Sequence, residues 1–306
     1  MRTQGIRAGL AAFAVAVSLA ASGCGILGNP LASKPEPSGR AAASASPPPS
    51  AAPVVQPAEG QCHVNYYLEQ VSLETDKIVD CAEAHVGETV YVGRFVGTSA
   101  SGGVPAMDGS GGDSDAVAQI QSEAYLDCST HAEKYLGHSW IHMLLDLRVV
   151  LPTEDAWASG DRWYRCDLYQ ISWDTGDELE RKGSLKTAWF DPVCVDLNKD
   201  GIPIVACAKK HPGEFTGGYM APATKTEPKT DSQYKPYHKK CYPIIGSYLG
   251  ISASRVHTTV GDSVQFAYAF EQWRLGRRAV YCFTWTGPKT SSYVTGSAKG
   301  RKGKGL

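Results

Sequence analysis

The chain has 306 residues, of which 42% are apolar and 20% charged, with nine cysteines and a formal net charge of -1. That composition allows buried cores, and the length suits about two domains. Without a net basic charge it offers no footing for a nucleic-acid binder.

Arg2 and Arg7 precede an apolar run from Leu10 to Ala21, which ends in Ser22-Gly23-Cys24. A charged start, a short apolar stretch and a small-residue cleavage site make residues 1–23 a signal peptide, and the run is too short to span a membrane well. Its removal takes two arginines and no acid, leaving 28 basic against 31 acidic residues. Ala21-Ser22-Gly23-Cys24 resembles a bacterial lipobox, although Leu is commoner where Ala21 stands. The resemblance implies that Cys24 carries lipid, becomes the mature N-terminus and holds the chain on the outer face of the cell membrane. More than one acyl chain makes such anchoring stable. An ordinary secretory signal is the other reading. Residues 24–58, rich in Ala, Pro and Ser and including Pro47-Pro48-Pro49, form a disordered tether because they carry too little apolar surface to fold.

A first domain is expected over 59–174. Strands are predicted from Val71 to Val79, Thr89 to Val96, Met143 to Leu151 and Trp163 to Trp173. A Gly, Ser and Asp loop fills Ser99 to Asp115. Val117, Ile120, Ala124, Cys128, Ala132 and Tyr135 then recur every three or four residues, the signature of one helix face, with Asp113, Ser114 or Asp115 as cap and Gly137 as stop. Residues 175–188 are charged and weakly apolar and read as a linker. A second domain covers 189–286. Asp200-Gly201 turns its first hairpin, and Tyr234, Tyr237, Cys241, Ile244 and Tyr248 mark a helix that Pro243 should kink or shorten. Val264 to Phe270 and Arg278 to Trp285 are its closing strands. Residues 287–306 read as a basic flexible tail, whose Lys299, Arg301, Lys302 and Lys304 give at most weak, salt-sensitive attraction to an anionic polymer or lipid surface.

One motif ties the halves together. Cys81-Ala82-Glu83-Ala84-His85-Val86-Gly87-Glu88 recurs as Cys207-Ala208-Lys209-Lys210-His211-Pro212-Gly213-Glu214. Tyr135-Leu136-Gly137 follows Cys128 at the offset at which Tyr248-Leu249-Gly250 follows Cys241. Trp157-x-x-Gly160-x-Arg162-x-x-x-Cys166 likewise matches Trp273-x-x-Gly276-x-Arg278-x-x-x-Cys282. Such self-similarity is the mark of a tandem repeat. Once Cys24 is set aside, each copy holds four cysteines: Cys62, Cys81, Cys128 and Cys166, then Cys194, Cys207, Cys241 and Cys282. An even set in an exported chain reads as disulfides, and the lack of any C-x-x-C speaks against zinc.

The candidate binding residues are His85 with Glu88 and His211 with Glu214, because a histidine and a carboxylate three apart can ligate a metal or exchange protons. The same pairs, set in short turns beside cysteines, can instead bond backbone groups, and that structural role is the preferred reading. Trp157 with Arg162, and Trp273 with Arg278, either stack inside the fold or form a ligand platform. Asp196-x-Asn198-x-Asp200-Gly201 begins like a calcium loop, but Cys207 stands where the closing Glu belongs. Asp108, Asp113 and Asp115 are an equally weak hint. G-x-S-x-G, the P-loop, H-E-x-x-H and S-x-x-K with its partners are all missing, so no catalytic residue, metal or cofactor is assigned.

The combined pattern resembles the actinobacterial septum formation family. It rests on Gly60-Gln61-Cys62, Cys81 to Glu88, Cys128, and Trp157 to Cys166, with the second copy departing only at Pro192-Val193-Cys194. The resemblance implies a membrane-associated or exported protein linked to septum formation, and it supplies no reaction to carry over. The resulting expectation is an α+β lipoprotein with two homologous small disulfide-stabilised domains, each a small antiparallel sheet with one main helix. Its partners would be the membrane, through the lipid, and an envelope protein or wall polymer. An envelope hydrolase or metal enzyme using His85 and Glu88, and a structural spacer, are the alternatives. Of the three connectivities each copy allows, pairing neighbours is favoured: Cys62 with Cys81, Cys128 with Cys166, Cys194 with Cys207, and Cys241 with Cys282. That choice closes one hairpin and staples one helix to the last strand.

Overall fold

In the first half, the strands are β1 (Cys62–His63), β2 (Gln70–Val71), β3 (Ile78–Val79), β4 (Gly87–Arg94), β5 (Leu145–Pro152) and β6 (Trp163–Gln170). Helix α1 (Asp115–Leu136) separates β4 from β5, and the short α2 (Glu154–Ala158) precedes β6. The second half has β7 (Val193–Val195), β8 (Ile204–Val205), β9 (Lys210–His211), β10 (Gly213–Met220), α3 (Asp231–Leu249), α4 (Val256–Thr259), β11 (Gly261–Phe266), β12 (Ala279–Trp285) and β13 (Val294–Thr295). These come from a computed structural model that describes residues 56–67, 70–101, 103–105, 115–172, 175–188, 190–196, 202–224, 226–286 and 293–305. The signal peptide, Cys24, most of the tether, Asp108, Asp113, Asn198, Asp200 and Gly201 lie outside the described residues.

Two sheets carry the architecture. The first runs β2-β5-β6-β4-β1-β3 and the second β11-β12-β10-β7-β8. Apart from β2, the strand order is the same in both. Each long central strand also breaks register at the same place, Thr89/Tyr91 in β4 and Phe215/Gly217 in β10. The sheets are larger than the small antiparallel ones expected, and the first is mixed, since β2 runs parallel to β5. The predicted strand from Val71 to Val79 is in fact two short strands. Between them the amides of Thr75 and Asp76 both bond Ser72 O, a turn that sends the Asp76 side chain inward.

Alternation along β6 sorts its residues by face. Tyr164, Cys166 and Leu168 meet Ala124, Cys128, Ala132 and Leu136 of α1 in one core, while Trp163, Arg165, Asp167 and Tyr169 point to the other side. Cys128–Cys166 pins α1 to β6, and Cys241–Cys282 pins α3 to β12. Cys62–Cys81 and Cys194–Cys207 close the first hairpin of each half. Helix α3 runs unbroken through Pro236 and Pro243. Both prolines are exposed, so the carbonyls that lose a donor can face water instead of the core.

The core does not stop between the halves. Val195, Phe215, Tyr281, Phe283 and Trp285 from the second sheet share a cluster with Ile141, Leu145 and Leu147 from the first half. Residues 53–306 form one compact unit. The segments read as linker and tail are also built into it. Glu178 bridges to Ile171, Arg181 to His85, and β13 pairs with β9. The flexible-tail expectation is therefore corrected over 293–305, where backbone pairing and burial of Val294 and Ala298 hold the chain down. Residues 287–292 lie outside the described residues.

Candidate functional site

The repeated eight-residue motif can be followed side chain by side chain. Its cysteine is oxidised in both copies. The histidine ring turns back on the chain, with His85 Nδ1 donating to Glu83 O and His211 Nδ1 donating to Lys209 O, each at 2.9 Å. The glycine lies beneath an aromatic ring of the neighbouring strand. A Cβ on Gly87 would sit 2.6 Å from Tyr169, and one on Gly213 would sit 2.5 Å from Trp285, so no larger residue fits without moving the ring.

The glutamates are the centres of the two sites. Glu88 is fully buried and accepts from Tyr135 OH, Ser184 Oγ and Leu185 N, each at 2.6 Å. Glu214 is also fully buried and accepts from Tyr248 OH at 2.6 Å, Ser297 Oγ at 2.8 Å and Ala298 N at 2.6 Å. Each serine then accepts an amide two residues on, from Lys186 N and Lys299 N, at 3.1 Å. The donors come from Gly183-Ser184-Leu185-Lys186 and Gly296-Ser297-Ala298-Lys299, so the repeat extends through the segments read as linker and tail. Both glutamates clamp a late strap onto the first hairpin of their half. Burial first, and then the bond to Glu88, push the Tyr135 hydroxyl up to about 12, which keeps it a donor. Burial and Glu214 raise Tyr248 in the same way.

A buried carboxylate needs compensating partners, and the two copies complete the set differently. In the first, Arg181 Nη1 lies 3.7 Å from Glu88, while His85 Nε2 is buried without a partner. Burial pulls the Arg181 guanidinium down, and Glu88 acts against it. In the second, Val294 occupies the place of Arg181 in the pairing, and His211 Nε2 itself reaches Glu214 at 3.1 Å. Because Nδ1 already donates to a carbonyl, Nε2 is the ring atom left to meet the carboxylate.

Cys62, His85 and Glu88, and likewise Cys194, His211 and Glu214, bring potential ligand atoms within 4.8 Å of one another. In both sets the sulfur is in a disulfide and the carboxylate is taken by internal donors, so the arrangement suits a metal poorly in the oxidised chain. A cleft of about 310 Å³ opens beside Tyr248 and Lys299, but neither His211 nor Glu214 lines it.

Trp157 and Arg162 come together, with the guanidinium 4.2 Å from the ring and bonded to the carbonyls of Trp157, Asp161 and Ala100. Arg278 bonds the carbonyls of Ala221 and Trp273. Both tryptophans are buried and these pairs knit loops to the sheet, while Trp273 and Arg278 also line a cleft of about 640 Å³ together with Gln119 and Glu123. Of the acidic hints, Asp196 is described, and its amide bonds Pro203 O across the hairpin. Cys207, at the closing position of the calcium-like stretch, is bonded to Cys194.

Sequence reasoning missed one buried network. His63 Nε2 meets Thr89 Oγ1 at 2.8 Å, and His63 Nδ1 lies 3.0 Å from Asp76. Arg165 bridges Asp76 and Asp167. The spacing mimics a hydroxyl, base and carboxylate relay. However, Thr89 Oγ1 donates its one proton to Asp167 at 2.8 Å, so His63 is the donor to Thr89, and every member is buried. The corresponding positions of the second half are Val195, Phe215, Tyr281 and Phe283. The network is an internal brace.

A protein-family profile described as septum formation matches residues 59–282. No curated protein and no solved structure matches the chain.

Proposed function

The chain belongs to the septum formation family, and from that premise we propose a non-catalytic binding or scaffolding protein of the actinobacterial cell envelope that acts in cell division. In this reading a lipid on Cys24 anchors it to the outer face of the cell membrane. Residues 24–58 tether two tandem family units, which engage an envelope protein or a wall polymer. The observation that carries the reading is the state of the repeated motif. Both glutamates are fully buried and saturated by internal donors, which supports a bracing role and leaves binding to the outer surface. Four disulfides agree with folding outside the cytosol.

The test is the position of a fluorescently tagged full-length chain in dividing cells, beside a Cys24→Ala variant. Septal enrichment that Cys24→Ala disperses is expected, and a uniform envelope signal would remove the division role. One observation favours a metal-dependent hydrolase as the runner-up, the proximity of Cys62, His85 and Glu88. Near-stoichiometric zinc in purified protein, lost in His85→Ala, would move the assignment there.

A further inference from the structure

The formal charge of -1 conceals a division along the chain. Residues 59–188 hold 22 Asp and Glu against 9 Lys and Arg, a net of -13, whereas residues 189–306 hold 8 against 17, a net of +9. In the acidic half, exposed carboxylates such as Glu74, Glu133 and Glu180 have exposed Lys77, Lys134 and Lys182 within three residues of them. The basic half is different. The solvent side of α3 carries Lys235, Lys239 and Lys240, and its only acid is Asp231 in the first turn. The strap after β13 then docks on the end of that helix, with Gly300 N and Lys302 N bonding Tyr248 O and Leu249 O at 2.8 Å, which adds exposed Lys302 and Lys304 to the same end. None of these five lysines forms an ion pair with a described residue.

Beside the lysines lies a groove of about 350 Å³ whose walls include Tyr219, Pro222, Gln233, Pro236, Tyr237 and Lys240. Aromatic and proline faces with a few polar groups suit the C–H faces and hydroxyls of sugar rings. From Lys235 to the helix end is about 20 Å at 1.5 Å per residue, too long for one phosphate or headgroup. We propose that the α3 face and this groove of the second half bind a polyanionic glycan chain, its sugars in the groove and its anionic groups on Lys235, Lys239, Lys240, Lys302 and Lys304. This rests on the binding reading above and gives it a site and a ligand class.

The test titrates the full chain, held in zwitterionic nanodiscs, with fluorescent oligogalacturonate, and uses maltohexaose as the neutral control. The uronate should bind, weaken with salt and outcompete maltohexaose. Replacing three exposed lysines (Lys235→Gln, Lys239→Gln, Lys240→Gln) should weaken binding about tenfold. Thr224→Trp, which narrows the groove without altering charge, should weaken it as well. Lys302→Gln with Lys304→Gln serves if the triple variant fails to fold. Unchanged affinity in the lysine variants overturns the proposal. Inorganic polyphosphate competing as well as the uronate, with Thr224→Trp silent, reduces the site to unspecific charge attraction and overturns it too. So does stronger competition by phosphatidylglycerol vesicles, or sedimentation showing self-association that the lysine variants abolish. If glycan binding fails while septal enrichment persists, only the ligand and site are wrong and the broader binding role survives.

Discussion

Single residues show what the repeated motif is for. Glu214 meets four partners, so Glu214→Ala would leave Tyr248, Ser297, the Ala298 amide and His211 Nε2 without the group they bond. Leaving buried donors without their acceptor costs about 1 to 3 kcal/mol. Glu214→Ala is therefore expected to lower unfolding free energy by that amount in a urea titration, and a loss under about 1 kcal/mol would contradict the clamp, since even one orphaned buried polar group costs about that much. Asp76 provides a pH test. Burial alone would raise its carboxyl, but His63 and Arg165 prevail and bring it from 3.8 to about 2. A depressed carboxylate stabilises the fold above its unfolded value and stops doing so as pH falls through its folded value. Wild-type stability should thus fall between about pH 4 and pH 2 by about 2 kcal/mol more than that of Asp76→Asn. Parallel pH curves would show that the Arg165 contact has no net effect.

Elements explain why some of this was legible in the sequence and some was not. The helix faces, the paired cysteines and the first-hairpin motif stand out because they obey short periods or repeat nearly verbatim. The straps read as linker and tail because three matching residues, Gly-Ser-x-Lys, are too few to stand out among polar neighbours. The buried network was invisible for another reason: Arg165 and Asp76 are 89 residues apart, and nothing local marks either as internal. The charge division was hidden by summing over the whole chain. The strap can be tested by truncation. A chain ending at 292 loses β13, the Ser297 and Ala298 bonds to Glu214 and the amides that close the end of α3. It should be less stable than Glu214→Ala, with earlier proteolysis around β9, whose pairing with β13 is lost. Equal resistance to protease in the truncated and full chains would mean that the tail adds nothing.

At the scale of the molecule, a question remains that the repeat alone would answer wrongly. Tandem units often fold independently, each around its own core. Here the helix-free face of the second sheet presents Phe215, Tyr281, Phe283 and Trp285 to the first half, and all four are buried in the shared cluster. Polar contacts cross as well: Tyr268 OH donates to Asp146, Tyr125 OH reaches Tyr268 OH at 3.4 Å, and His142 Nε2 donates to Gly218 O at 3.0 Å. Parting the halves would expose four large rings together, an apolar patch that monomeric proteins rarely leave in water. Apolar replacements for the first half's network fit the same account, since the second sheet faces a core where the first faces its own hairpin loop. Scanning calorimetry of the oxidised chain should therefore give one transition whose calorimetric and van't Hoff enthalpies agree. Two resolved transitions, with Glu214→Ala moving one of them alone, would show that the halves unfold separately and that the shared cluster is only a docking surface between autonomous units.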